Sequence, residues 1–274
     1  MLHVISPVTT GELEQAIQFQ RRLLEIACLG RCGLPLVEAD FKREFGDQIG
    51  KWTWDKCWAR NKTQSEFGAA LRTLIEFVQL NPQVGQLILD AFNHDIAFDQ
   101  HFADTTFVFF YTPNLSTPAQ DAVRPLMELF YKSLLYAGFP DSLHGQAAKF
   151  YRDTFVAKFW QQNPKLRECP ACEGEPPDRV GTKVYADVDH FLPKSIYPFL
   201  SIHPLNLIPI CKECNSSFKM TSDPLEQGGN SHLGDGFHPY ANPAIRYIQG
   251  KVDRSHPGEH LVAIEANDSG MIDQ

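Results

Sequence analysis

Apolar residues recur at three- and four-residue steps through most of the first 163 positions, the spacing that keeps one face of a helix apolar. Thr10 is placed to cap a helix running through Leu13, Ala16, Ile17, Leu23, Leu24 and Ile26 and ending near Gly30. A second helix is predicted from Leu36 to about Phe45. A third, Glu66 to Leu80, lines up Phe67, Leu71, Leu74, Ile75 and Val78 and stops before Pro82. Pro82 then suits the first turn of a fourth helix through Val84, Leu87, Ile88 and Phe92. Thr117-Pro118 opens a helix to about Tyr136, and Asp141 or Ser142 opens another to about Gln161. The run Thr106–Tyr111 reads as a strand or a buried helix, and periodicity does not separate the two.

The texture changes at Asn163-Pro164. Val184 to Phe191 reads as one strand, Leu207 to Ile210 as a second, and Cys214 to Met220 as the start of a short helix. Residues 221–237 are glycine-rich and read as a linker, since their glycines lack any phosphate-loop spacing. Ile245–Val252 and Leu261–Glu265 are expected to pair as late strands, and Asn267–Gln274 to be a frayed end. The division expected is a helical region over 1–163, a small compact domain over 164–245 and a C-terminal extension over 246–274. The fold class is α+β.

Composition narrows the function classes. At 43% hydrophobic and 21% charged residues, the 274-residue chain has the profile of a soluble globular protein. The apolar run Phe107–Tyr111 is far too short to span a bilayer. The first residues lack the basic-then-apolar layout of a signal peptide, so no membrane partner and a cytoplasmic location are expected. Cysteines are then reduced and serve as thiols or metal ligands. The net charge of −8 argues against gripping nucleic acid by bulk electrostatics. Residues 161–220 are balanced, however, with seven basic and seven acidic side chains, so the acidic excess lies elsewhere. Weak, salt-sensitive DNA binding by the chain alone follows.

Four of the seven cysteines form two C-x-x-C pairs, Cys169-Pro-Ala-Cys172 and Cys211-Lys-Glu-Cys214. Four thiolates suit tetrahedral Zn²⁺ and leave no open position for a reacting water, so the zinc expected is structural. The 38 residues between the pairs exceed the span of a simple zinc ribbon, and something functional is expected there. The insert carries Asp187-Val-Asp189-His190-Phe-Leu-Pro-Lys194-Ser195, then His203-Pro-Leu-Asn206, and Asn215 follows the last cysteine.

Over about residues 169–220 this order resembles the HNH (ββα-metal) endonuclease family in its four-cysteine form, and Asp187–Ser195 is similar to the HNH domain of CRISPR effector nucleases. Asn215 stands where that family often has histidine, which leaves metal preference open. The whole-chain pattern, with Asn215-Ser216 after the last cysteine and His238-Pro239-Tyr240 beyond, also resembles defence-associated bacterial HNH proteins. The resemblance implies a zinc-stabilised ββα-metal nuclease domain after the helical region. It also implies 5′-phosphate products.

The chemistry accounts for the residue types independently. A divalent cation neutralises a phosphodiester and its leaving oxygen. Oxygen donors suit Mg²⁺ or Mn²⁺, and Asp189 and Asn215 are such donors. His190 has an unperturbed pKa suited to a neutral-pH base. It belongs to the opposite face of the strand unless it turns at the strand end. Asn206 is expected to orient the His190 ring or to pin the neighbouring loop.

Blander readings stand beside these. Asn215 could simply cap a helix, Asp187 is read as structural or supporting, and Lys194 as a phosphate contact or a solvated lysine. His203 and His238 read as loop or core residues. Cys28, Cys32 and Cys57 read as buried thiols, and Trp52, Trp54 and Trp58 as core. The expected function is metal-dependent DNA cleavage, delivered or switched on by a protein partner such as an ATPase. The alternatives are an RNA-cleaving toxin and a non-catalytic zinc-knuckle adaptor.

Overall fold

The computed structural model describes residues 5–8, 11–30, 36–58, 66–102, 104, 106–135, 152–172, 174, 178–180, 183–219, 223–225, 233, 238–240, 248–253 and 261–266. The helices are α1 (Gly11–Leu29), α2 (Glu38–Phe45), α3 (Asp47–Thr53), α4 (Glu66–Leu80), α5 (Pro82–Asp95), the single turn α6 (Tyr111–Asn114), α7 (Thr117–Leu129) and α8 (Arg152–Gln162). The strands are β1 (Asp178–Val180), β2 (Lys183–Tyr185), β3 (Asp187–His190), β4 (Leu207–Ile210), β5 (Ile248–Asp253) and β6 (Leu261–Ala266). They form three separate antiparallel ribbons, β1–β2, β3–β4 and β5–β6.

The periodic stripes become the packing faces. Phe67, Leu71, Leu74, Ile75 and Val78 of α4 are all buried, as their spacing predicts. α1 packs on α4 and α5, and α4 on α7. α5 and α1 cross closely, because a Cβ on Gly85 would collide with the Cys28 carbonyl. Leu87 is the exception on its predicted stripe and is exposed. Trp58 is buried and Trp52 and Trp54 pack against the core, while the Cys28 thiol is buried and pushed up to about 12 by that burial. The Thr10 cap, the start of the helix predicted from Asp141 or Ser142, Cys32, most of 221–237 and the Asn267–Gln274 end lie outside the described residues.

The structure adds α3 and β1, which the sequence reading did not contain, and two of the expected elements differ from it. Thr106–Phe110 is neither strand nor helix, and Tyr111 opens the single turn α6. The buried carboxylate of Asp95 accepts the backbone N–H groups of Phe110 (2.7 Å) and Tyr111 (3.1 Å), supplying locally what a ladder would otherwise provide. Burial pushes that carboxyl up to about 6. The span Val184–Phe191 is two strands, because the chain changes partner at Ala186: β2 pairs with β1, and β3 with β4.

The buried apolar residues form one continuous cluster reaching from α1 to Leu233. Phe199, buried in a short turn over Pro198–Leu200, sits edge-on to Phe92 (centroids 5.3 Å) and to Tyr111 (5.2 Å). Asn163, at the boundary in texture, accepts from Ser6 N–H through Oδ1 (2.7 Å) and donates through Nδ2 to Ser6 O and Phe159 O, both at 2.9 Å. Lys158 of α8 reaches Glu12 of α1 at 2.7 Å. No helix among the described residues is long and apolar enough to cross a membrane.

Phe199→Ala is expected to cost about 3–5 kcal/mol, the range for emptying a buried aromatic site. Urea titration followed by circular dichroism measures it. A cost under about 1 kcal/mol would mean that Phe199 does not join the 198–200 turn to the helices.

Candidate functional site

The two C-x-x-C turns meet. The sulfurs of Cys169, Cys172, Cys211 and Cys214 all lie within 4.8 Å of one another, and Cys172 and Cys211 are 3.9 Å apart. A tetrahedron of sulfurs around zinc has edges of about 3.8 Å, given Zn–S bonds of about 2.3 Å. The four cysteines are therefore positioned to bind a metal ion, and the all-thiolate donor set is compatible with structural zinc. Backbone N–H groups point at the sulfurs: Cys211 N to Cys169 Sγ (3.3 Å), Cys214 N to Cys211 Sγ (3.5 Å) and Gly174 N to Cys172 Sγ (3.4 Å).

The acid–base behaviour of the cluster is split. Burial, and after it the thiols of Cys172 and Cys211, push Cys214 well above its usual range, and burial also raises Cys211. At Cys172 burial opposes ionisation too, but the Gly174 N–H and the surrounding thiols outweigh it and lower the pKa. Four adjacent thiolates repel one another, and a bound cation removes that conflict.

The second cysteine pair follows β4 directly, so the cluster sits at one end of the β3–β4 ribbon. Asp187 lies opposite Ile210, the last residue of β4, and Asp189 lies opposite Ile208. Alternation along β3 places Asp187 and Asp189 on a half-buried face and Val188 and His190 on the buried one. Asn215 is the second residue of the π-helical segment Cys214–Lys219; its N–H bonds Cys211 O (3.2 Å), and its Nδ2 donates to Asp187 Oδ2 at 3.1 Å. Arg152 of α8 approaches the other oxygen of Asp187 at 3.9 Å. The direct contact of Asn215 is thus with Asp187, whereas Asp189 stands two residues along the same face, about 7 Å at the usual strand rise.

His190 stays in strand alternation and does not turn at the strand end. It is 4% exposed, on the face opposite Asp189. Its Nε2 lies 2.9 Å from the Ser201 carbonyl oxygen. A carbonyl only accepts, so Nε2 carries the proton and the lone pair of the neutral ring is on Nδ1.

Asn206 is fully buried. Its Oδ1 accepts Leu192 N–H (2.7 Å), and its Nδ2 donates to Leu192 O (3.0 Å) and Leu200 O (3.1 Å). Three of its four possible bonds staple the 192–200 loop. Of the two roles expected from the sequence, loop pinning is the one the contacts display, and a residue so enclosed positions others.

His203 and His238 are buried with Phe98. Burial holds His203 down to about 4; burial and then the neighbouring His203 hold His238 down to about 3. Both are neutral core residues at pH 7. Lys194 places its ammonium 5.5 Å from the Tyr131 ring centroid. Sequence reasoning missed Ser201, which acts through its backbone carbonyl, a group every residue carries.

No family model matches the chain, and no solved structure matches it. Among curated proteins, protein ea31 of Escherichia phage lambda is similar, 33% identical over 78 residues. That stretch covers 28% of this chain and 22% of ea31, so the chain matches only about a fifth of that relative's length.

Purified protein is expected to carry one zinc per chain by mass spectrometry of the metal, and Cys214→Ser to lose most of it together with cooperative unfolding. Structural zinc sites in small domains are worth on the order of 10 kcal/mol of apparent binding energy. Full stability of the zinc-free protein would remove the metal from the fold.

Proposed function

We propose that the chain is a metal-dependent endonuclease of HNH type, hydrolysing phosphodiester bonds in DNA. The observation that carries this reading is the meeting of Asn215, placed by the second cysteine pair, with the carboxylate face of β3, one residue from a histidine of defined tautomer. Four thiols alone would serve a zinc-knuckle adaptor equally well. An adaptor has no use for two carboxylates, an amide and an anchored imidazole along the ribbon that the cluster holds at one end.

In this reading Asp189 and Asn215 hold a Mg²⁺ or Mn²⁺ ion, with Asp187 supporting Asn215 through their hydrogen bond. All are hard oxygen donors on a half-buried face, which suits such ions. The bound ion would neutralise phosphate charge and stabilise the leaving oxygen. His190 takes the proton of the attacking water on Nδ1. As it does so, the Ser201 carbonyl opposite Nε2–H stabilises the charge appearing on the ring. His190 and Asp189 lie on opposite faces of β3, so the substrate phosphate approaches around the strand's end at His190. Asn206 keeps the 192–200 loop, and with it the Ser201 carbonyl, in place.

The net charge of −8 gives little general attraction for nucleic acid. We therefore read the nuclease as delivered or activated by a protein partner, such as an ATPase, in a bacterial defence setting.

Plasmid DNA and a structured RNA incubated side by side with the full chain in Mg²⁺ or Mn²⁺ test the reading. Cleavage of DNA is expected, and His190→Ala should reduce it at least about a hundredfold, the usual scale for a lost general base, with zinc content unchanged. Cleavage of RNA alone would move the activity to RNA. Full activity in His190→Ala would take the imidazole out of the reaction, and cleavage of neither substrate would favour the adaptor.

A further inference from the structure

The helical region reaches His190 from two directions. Past Leu129, α7 widens into π-helical turns over Phe130–Leu135, a form that often marks functional positions. Tyr131, the second residue of that stretch, is buried, and its ring stands edge-on to the His190 imidazole with centroids 4.3 Å apart. Its hydroxyl donates to the Val188 carbonyl at 2.5 Å.

The ribbon register explains why that carbonyl needs a partner. Phe191 N donates to Asn206 O at 2.9 Å, so pairs alternate from there: Asp189 with Ile208 is hydrogen-bonded across the ribbon, and Val188 with Pro209 is not. The Val188 carbonyl therefore points away from β4, to where Tyr131 stands.

The second approach runs through α7 itself. In the last turn of α7, the Met127 carbonyl accepts the Ser201 hydroxyl at 2.7 Å. The carbonyl of the same Ser201 receives His190 Nε2. Residues 127 and 131 are neighbours on one side of a helix. One helical turn thus fixes both the ring face and the hydrogen-bond partner of the imidazole.

We propose that Tyr131 is a positioning residue for His190, and that the end of α7 is an integral part of the active centre rather than a docking module attached to it. This rests on the endonuclease reading above. Tyr131 acts through contact with the imidazole and through the strand that carries it. Its loss should therefore slow the reaction without weakening DNA or metal binding.

The test uses the full chain, supercoiled plasmid DNA and Mn²⁺, with wild type, Tyr131→Leu and Tyr131→Phe compared. Tyr131→Leu, which removes ring and hydroxyl, is expected to lower kcat roughly a hundredfold, the scale of a small misplacement of a reacting group. Tyr131→Phe keeps the ring and should recover most of that loss, leaving kcat roughly three- to tenfold below wild type. KM, the Mn²⁺ concentration for half activity and the zinc content should stay near wild-type values in both.

A Leu variant with wild-type kcat overturns the proposal. So does a kcat loss matched by equal changes in KM and metal requirement, which would mark general damage. If the Leu variant fails to retain zinc, the Phe variant decides: a lowered kcat at unchanged KM supports the positioning role, and unchanged kcat refutes it. A wild-type chain that cuts nothing removes the endonuclease reading itself, whereas an active wild type with indifferent variants removes only the role of Tyr131.

Discussion

Thirty-eight residues separate the inner cysteines of the two C-x-x-C turns, yet four sulfurs converge within 4.8 Å. Everything between them is thereby held as a closed loop, and that loop contains Asp187, Asp189, His190 and Asn206. Closing such a loop costs chain entropy, and crowding four thiolates costs charge repulsion. A bound cation offsets both. The short β3–β4 ribbon, too small to stand alone in water, inherits its definition from this clamp at one end and from the helices at the other.

The Asn206 staple does at loop scale what the thiol cluster does at domain scale. One buried amide spans Leu192 and Leu200, so the seven residues between them start and end at fixed points. The buried turn over Pro198–Leu200 is then free to present Phe199 to α5 and α6, joining the cysteine-rich segment to the helical core. Breaking such a buried network leaves unpaired polar groups, which is why each member constrains the others.

Much of this was legible in the residue order. The stripe Phe67–Val78 predicted α4 to its ends, and Leu207–Ile210 predicted β4, because one-sided burial imposes a period that a sequence displays. Cysteine spacing pointed to the convergence of Cys169, Cys172, Cys211 and Cys214. The break at Ala186 was not legible, since Val184–Phe191 is β-prone throughout and a change of partner leaves no mark in propensity. Nor was Thr106–Tyr111, whose last two N–H groups are taken by Asp95 from a different element. For Asn206 the motif named the residue, while the choice between two hydrogen-bonding roles needed coordinates. Ser201 and Tyr131 were out of reach for separate reasons: one contributes a main-chain oxygen, and the other lies 59 positions before His190 in a helix without a motif.

The ribbon carries a further property in its outer margins. A two-stranded sheet has two bare edges, each a template on which a foreign strand can grow. On β4, Pro209 occupies a position whose N–H would face outward, so that margin lacks a donor. On β3, the outward carbonyl of Val188 is already covered by a phenol. Both flanks are blunted at the same rung, and this segment, rich in isoleucine, leucine and valine, is poorly disposed to recruit copies of itself into fibrils.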